Sequence, residues 1–440
     1  MTEFQKSLYA EYLEEMAFLY EHRCGALCDA EYSLFDIGDI DTRIEAHLDG
    51  LVLGGDGALR IVQACLSEPE AGELYTAARL FCRMDRPDLV LDCLGQLDWN
   101  DREAVAGMLS GLKCELPTSW TQTILAWLRD FHPRLTALVA EAAGHRRLQV
   151  AAGIQSAVAN AGPELSPRFL RALGQLREPS TMMVLYAHMQ KPDLLSARTA
   201  AISALRFGDT NVASNIMSYA LPWSAIPLAL VGDARAFSHL QRQLTQPDAV
   251  TAMGLLGDVR AVEVLIGCLA QEELASSAAS ALYLLTGAPL HEDIEIESLI
   301  EDEDEDELDE DELDEDEDEL DEDEDEEDYQ DLPEEEPATF RRISTDPVVW
   351  TEWWARNQSR FSGQRMRYRL GELYTPLVSV TALRSTLLSS FVRELIADEL
   401  LARHGVDTCY APEQPVHEQL SAIASLQSQL AQSPARPGQW

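Results

Sequence analysis

The sequence predicts an all-α protein: an α-solenoid of stacked helix pairs that carries a disordered acidic insertion and ends in a C-terminal helical cap. Gly-Asp pairs recur at 208–209, 232–233 and 257–258, first 24 residues (208 to 232) and then 25 residues (232 to 257) apart. Alanine-rich segments lie between these pairs, and small side chains let neighbouring helices stack closely. Helix pairs that repeat at a fixed period are typical of α-solenoids.

The N-terminal block, residues 1–66, is expected to be helical. Apolar residues follow one another at spacings of three and four, the period of one helix face: Phe4, Leu8, Tyr12, Met16 and Leu19. A second helix is expected to begin near Asp39 or Asp41 and to end among the glycines of 50–57.

Residues 67–290 are expected to form the repeat region. In each Gly-Asp pair, the glycine would end one helix and the aspartate would be the N-cap of the next, giving a tight turn between antiparallel helices. We therefore expect residues 1–290 to form one continuous helical unit.

The acidic insertion is expected to be a disordered linker over residues 291–339. Residues 292–336 hold 33 acidic residues and no basic one, out of a formal net charge of −44 for the chain. Like charges repel one another, and so few apolar residues cannot offset the cost of ordering the backbone. The excess of negative charge also argues against nucleic acid and anionic membranes as partners.

The C-terminal region, residues 340–440, is expected to contain three or four helices with an irregular piece near 363–371. Asp346 followed by Pro347 predicts a helix start. Three tryptophans follow on about one helical turn: Trp350, Trp353 and Trp354. They either form a core cap that seals the last repeat or an exposed aromatic patch that contacts a partner.

Two charged groups are candidate interaction sites. The first is a row on the second helix: Asp41, Arg43, Glu45, His47 and Asp49. These side chains would make helix caps and inter-helix salt bridges, or else hold a divalent metal. The second group follows the acidic insertion: Arg356, Arg360, Arg365, Arg367 and Arg369. It is either an ordinary basic face or a surface onto which the acidic insertion folds back, the insertion otherwise being a spacer.

The sequence predicts neither a metal site nor a cofactor, and no compact catalytic motif occurs in a usable context. The eight cysteines are scattered, no secretory leader is recognisable, and no apolar stretch is long enough for a membrane helix. We therefore expect a non-enzymatic protein in the cytoplasm.

The repeat region resembles HEAT-like repeats, with Gly-Asp turns, apolar helices ending in leucine and spaced alanines in 174–285. The segment 39–51, DIDTRIEAHLDGL, with 17–23 before it and 363–369 near the end, resembles an uncharacterised bacterial family of HEAT-like proteins often encoded near type VI secretion genes. The acidic insertion departs from that family.

The resemblance implies a protein-binding scaffold, adaptor or chaperone that helps a secretion effector or spike component to assemble or load. One alternative is an immunity-like or regulatory binder whose acidic tract occupies a basic groove of its partner. The other is a lyase-type enzyme, because some HEAT-like proteins act on cofactors bound to other proteins.

Overall fold

The protein is described here from a computed structural model that covers residues 1–67, 69–218, 221–295, 339–361, 366–407, 409–431 and 437–438. The described part of the chain contains 22 α-helices and two small two-stranded sheets, so the all-α prediction is confirmed at the level of fold class. No helix within those ranges is both long and apolar enough to cross a membrane.

The first eighteen helices, in chain order, are α1 Glu3–Ala26, α2 Leu34–Gly54, α3 Asp56–Cys65, α4 Ala71–Arg83, α5 Pro87–Gln96, α6 Arg102–Glu115, α7 Thr121–Asp130, α8 Pro133–His145, α9 Ala151–Val158, α10 Ser166–Leu176, α11 Met182–Met189, α12 Leu194–Leu205, α13 Thr210–Ser218, α14 Ala225–Val231, α15 Ala236–Leu240, α16 Pro247–Leu256, α17 Ala261–Cys268 and α18 Glu272–Thr286. The remaining elements are β1 His291–Glu295, β2 Thr339–Ile343, α19 Pro347–Asn357, β3 Tyr368–Arg369, β4 Glu372–Leu373, α20 Pro376–Ala382, α21 Ser390–His404 and α22 Val416–Leu430.

The first two helices form an antiparallel pair that packs on α3 and α4. α2 begins at Leu34 rather than near Asp39 or Asp41, because Ser33 and Asp36 form a capping box at its start. Phe4 does not belong to the buried face of α1: its side chain is 74% exposed, whereas Met16 and Leu19 are fully buried. The buried residues of α1 therefore lie mainly in its C-terminal half, and its first turn is exposed.

The even-numbered helices from α4 to α18 form a continuous row in which each helix packs against the next even-numbered one. Glycines allow the closest approaches within this row. A Cβ atom on Gly174 would lie 2.5 Å from the Cβ of Ser203, and one on Gly254 would lie 2.6 Å from the Cα of Ala281. We call α4–α18 the helix array, and its buried side chains belong to one core with those of α1 and α2.

Two of the three Gly-Asp pairs end even-numbered helices without capping the helices that follow. Gly232 and Gly257 have φ of +71° and +73° and end α14 and α16. The Asp233 carboxylate accepts hydrogen bonds from the backbone and side chain of Arg235, and only then does α15 begin, so the predicted N-cap role is wrong there. The first pair fits the prediction, because Asp209 directly precedes α13 and accepts a hydrogen bond at 2.8 Å from the backbone amide two positions later.

The ends of the acidic insertion are brought together by a short antiparallel sheet. β1 pairs with β2 so that Glu295 lies opposite Thr339. Arg341 bonds to Asp293, and residues 339–343 also contact the loop between α1 and α2 through a hydrogen bond from the Ala30 amide to the Arg341 carbonyl. The predicted linker limits of 291–339 are therefore wrong at both ends, where cross-strand pairing and ion pairs order the chain. The rest of the predicted disordered stretch, 296–338, lies outside the described residues.

The C-terminal helices take up two separate positions. α19 packs on α17, near the end of the helix array. α21 packs on α14, and α22 packs on α2, at the opposite end of the chain. The C-terminal region thus reaches the N-terminal block as well as the last helices.

Candidate functional site

One segment of the C-terminal region contacts helices along the array from α18 to α6. We call residues 366–416, of which the structure describes 366–407 and 409–416, the C-terminal strap. Its first contacts are backbone hydrogen bonds to the C-terminal ends of α16 and α18. The amide of Tyr368 donates to the carbonyl of Gly257 at 2.7 Å, and the amide of Leu370 donates to the carbonyl of Leu284 at 2.7 Å.

Two fully buried arginines alternate with these two residues in the strap. Arg367 and Arg369 each donate to one oxygen of the Glu399 carboxylate at 2.6 Å. Both also donate to backbone carbonyls at the end of α16, those of Leu255 and Leu256. Burial lowers the pKa of Arg369, and Glu399 opposes this effect. The cluster fixes the strap against the helix ends, where carbonyl groups lack partners within their own helix.

The middle of the strap binds the array through carboxylates. Arg206, just after α12, donates to both oxygens of Asp398, at 2.7 and 3.0 Å, and to Glu394 at 3.2 Å. Arg171 of α10 donates to Glu394 at 2.9 Å. Burial raises the pKa of Glu394, but Arg171 and Arg206 together outweigh burial and hold it below its ordinary value. Burial dominates at Asp398, whose pKa is raised.

Beyond α21, the strap reaches the first half of the array. Asp407 accepts two hydrogen bonds from Arg147, at 2.5 and 2.7 Å, and pairs with Arg177 at 2.8 Å. Lys113 of α6 pairs with Glu413 at 3.0 Å. The strap therefore runs along one edge of the array from α18 to α6.

The strap ends on the first candidate group. The Asp41 carboxylate, buried on α2, accepts from Arg23 at 2.5 Å and from the backbone amide of Val416 at 2.6 Å. Arg23 also donates to the Gln414 carbonyl at 2.8 Å. Asp41 thus joins the two ends of the chain and, being buried, is not available to a partner protein.

Some of the other charged residues in that row form salt bridges with a neighbouring helix, and others lie near the surface. Glu45 binds Arg79 and Arg83 of α4, and Asp49 accepts from Arg83 at 3.3 Å. These contacts are salt bridges between α2 and α4, which is the first of the two roles predicted for the row.

Two members of the row remain near the surface. Arg43 lies 3.7 Å from Glu15 and is more than half exposed. The ring of His47 lies 5.4 Å from that of Tyr12. Within the described ranges, no three His, Cys, Asp or Glu side chains are grouped so that they could hold a metal ion.

The three tryptophans differ in exposure. Trp350 is fully buried, and its indole N–H donates to the Ser344 carbonyl at 2.7 Å. Trp353 and Trp354 are half-buried, with their rings 6.3 and 5.2 Å from Phe361. A partner-binding role is therefore wrong for Trp350, whose side chain is enclosed in the core.

The predicted basic face is also wrong for two of its five members. Arg367 and Arg369 lie in the core, where both pair with the carboxylate of Glu399. Arg356 pairs with Glu352 at 2.7 Å on the surface, and Arg360 donates to Asn357. The fifth member, Arg365, lies outside the described residues.

An open groove lies on the array away from these contacts. It has a volume of about 500 Å³ and lies between α3, α4, α5 and the N-terminal end of α6. We call it the apolar groove, lined by Gln63, Leu66, Ser67, Pro69, Leu74, Phe81, Leu89, Asp92, Cys93, Gln96, Leu97, Asp98, Asp101 and Ala104. The strap contacts α6 near its other end, at Lys113.

Sequence reasoning missed both the strap and the groove. Glu394 and Asp398 are four apart on one helix face, Arg171 lies within α10 and Arg206 follows α12, but such charges are equally common on solvated surfaces. The groove is assembled from four helices, so no local pattern marks it. No known protein-family model matches the chain, and no curated protein is significantly similar to it in sequence.

Proposed function

We propose that this chain is a HEAT-like α-solenoid that acts as a protein-binding scaffold in the cytoplasm and catalyses no reaction. The observation that supports the proposal is the continuous row of even-numbered helices, each packed on the next from α4 to α18. Stacked helix pairs build long, rigid surfaces that suit the binding of proteins or extended segments. In this proposal, the strap braces the scaffold along one edge, and α19 caps its last repeat.

Exposed apolar side chains on the N-terminal block also support the proposal. Phe4, Phe18, Phe35 and Leu53 are each at least 61% exposed on α1 and α2. Large apolar side chains that remain in contact with water favour association with a partner.

Site-specific photo-cross-linking in native lysate tests the scaffold. A benzoylphenylalanine residue placed in turn at Phe18, at Gln96 and, as a remote control, at Glu263 should trap a discrete protein from one of the first two positions and not from the control. Equal trapping at all three positions, or at none, would count against a scaffold. Purified full-length protein that turns over a small-molecule substrate would also exclude it.

The type VI secretion context rests on the resemblance alone. In that setting, the partner would be a secreted effector or a spike component that the scaffold helps to load or assemble. Identification of the trapped protein by mass spectrometry decides this point, since a partner unrelated to secretion would remove the proposed setting.

A second candidate function is the binding of a basic partner by the acidic insertion. The antiparallel pairing of Glu295 with Thr339 anchors both ends of the insertion at one place. Arg367 and Arg369, two of the five predicted targets within the chain, are buried and paired with Glu399. The loss of these two internal targets favours an external basic partner.

Deletion of residues 300–330 tests this second function. Binding of a basic protein should weaken and lose its dependence on salt, because the Debye length falls from about 10 Å at 0.1 M to about 3 Å at 1 M ionic strength. Unchanged affinity and unchanged salt dependence would leave the insertion as a spacer.

A further inference from the structure

The apolar groove has the size of a binding site. Its volume of about 500 Å³ falls within the range of roughly 300–1,000 Å³ that is typical of ligand pockets in proteins. Three array helices and α3 form it, so its shape is fixed by the same core that holds the array together.

Part of the groove wall is apolar. Leu66 and Pro69 are half-buried there. Four further leucine and phenylalanine side chains line the groove from the core and expose almost no surface: Leu74, Phe81, Leu89 and Leu97. The exposed apolar part favours apolar side chains, since removing apolar surface from water contributes about 25 cal/mol per Å².

The rim of the groove is acidic. Asp92, Asp98 and Asp101 lie on it, and no lysine or arginine is among the described residues that line the groove. None of the three aspartates forms a salt bridge with another described residue, and the carboxylates of Asp98 and Asp101 accept only backbone amides. A partly apolar wall with a carboxylate rim therefore suits a ligand that carries apolar groups and positive charges side by side.

The one thiol in the groove does not offer covalent chemistry. Burial, followed by the charge of Asp92, raises the pKa of Cys93 to about 12. The thiolate is the reactive form of cysteine, so this thiol stays protonated and inert at neutral pH. It acts as part of the apolar wall.

We propose that the apolar groove binds an amphipathic basic segment of the partner protein, with leucine-like side chains on the wall and arginine or lysine against Asp92, Asp98 and Asp101. This inference rests on the proposed scaffold function and names the class of partner segment. Charge complementarity selects that class, because a chain with a formal net charge of −44 repels acidic segments and attracts basic ones. Apolar anchors in a groove are a recurring mode of peptide recognition.

The test uses fluorescence anisotropy with a short labelled peptide that carries leucines on one helical face and arginines beside them. A second peptide has glutamate in place of arginine. The protein is full-length, and a parallel series lacks residues 300–330, so that binding through the acidic insertion is separated from binding at the groove.

Three variants locate the binding. Asp92→Asn with Asp98→Asn keeps the side-chain shape and should weaken binding of the arginine peptide about three- to tenfold. Gln96→Trp, on the exposed rim, should obstruct the groove and weaken binding further. The matched control, Glu263→Gln with Glu272→Gln, removes the same charge at the far end of the array and should change affinity by less than about twofold. Circular dichroism and thermal melting confirm that each variant is folded.

Three outcomes would overturn the proposal. Groove and control variants could bind alike, which would place the peptide outside the groove. The glutamate peptide could bind as well as the arginine peptide, which would remove the role of the rim. An alkylammonium compound could bind at the groove while the peptide does not, which would make it a small-molecule site. Failure of the scaffold itself is distinguishable, because it leaves peptide binding intact while no cellular protein is trapped.

Discussion

The contacts between array helices and the contacts between the array and its strap differ in their share of ionic groups. The closest approaches between array helices use glycine, alanine and serine, as where Gly254 passes Ala281. The strap has apolar side chains in the same core, such as Ile396, and is also held by ion pairs and hydrogen bonds to helix ends, as at Arg206 and Asp398. Ionic contact depends more strongly on pH and salt than apolar contact does. The strap should therefore be more sensitive than the array to these solution conditions.

The largest effect is expected from Arg206→Ala. The change leaves Asp398 buried without its cation, while Glu394 keeps its salt bridge with Arg171. Breaking a buried ion pair in this way typically costs about 3–5 kcal/mol. Hydrogen exchange measured by mass spectrometry should show that the strap loses protection while α8 and α10 keep theirs. Arg235→Ala is the control, because Arg235 is 77% exposed beside Asp233 and its removal should cost less than about 1 kcal/mol. Equal exchange in both variants would show that the strap does not depend on its ionic contacts.

Gly254→Ala tests the opposite interface. The new methyl group would lie 2.6 Å from the Cα of Ala281, so the helices must move apart, and we expect a loss of about 1–3 kcal/mol in the free energy of unfolding. Gly267→Ala is the matched control, since a Cβ there meets nothing within 4 Å and the better helix propensity should stabilise by about 0.5–1 kcal/mol. Urea unfolding followed by circular dichroism measures both. A stabilised Gly254→Ala protein would contradict close helix contact.

A pH series separates the two interfaces further, beginning with His145. Burial, assisted by the charge of Lys113, lowers the pKa of His145 to about 4. In the folded protein the imidazole therefore stays neutral at pH values well below its ordinary pKa near 6.5. Because the unfolded chain binds this proton first, stability is complete above about pH 6.5 and falls as the pH drops to about 4. The expected loss is about 3 kcal/mol. His145→Gln should remove this part of the pH dependence; a slope that persists in the variant would assign it to other groups.

Below that window, the strap carboxylates with lowered pKa values, Glu394 and Asp407, contribute most. The pKa of Asp407 is lowered: burial raises it, but Arg147 outweighs burial through hydrogen bonds and charge. A lowered folded pKa means that the contribution is present above the unfolded value near 3.9 and is lost as the pH falls through the folded value. Hydrogen exchange should therefore show the strap opening in acid before the array does. Simultaneous opening of both would contradict the comparison.

The smallest effect is expected from Glu413→Gln. Glu413 is 54% exposed, and its partner Lys113 keeps a second salt bridge with Glu141, so the loss should be about 0–1 kcal/mol. The difference between variant and wild type should vanish at 1 M salt, where exposed charges are screened. A larger, salt-resistant loss in thermal melting would mean that this end of the strap is held more tightly than its exposure indicates.

The sequence by itself determined the helical fold class and several local features. Asp346 caps α19 as predicted, because an N-cap followed by proline is a signal within three residues. The glycines at 232 and 257 end their helices as predicted, because φ above zero is a local requirement that glycine meets best. Charge density alone also identified the acidic insertion as a distinct segment.

Only the tertiary structure decided which side chains are exposed and which ends of the chain meet. Phe4 fits the helical period of α1 yet faces solvent, and Arg367 and Arg369 look like surface charges yet lie in the core. Asp41 binds Val416, a contact across 375 positions that no local pattern encodes. Helical periodicity and capping depend on neighbours within a few residues, whereas burial and long-range ion pairs depend on which distant surfaces the whole fold brings together.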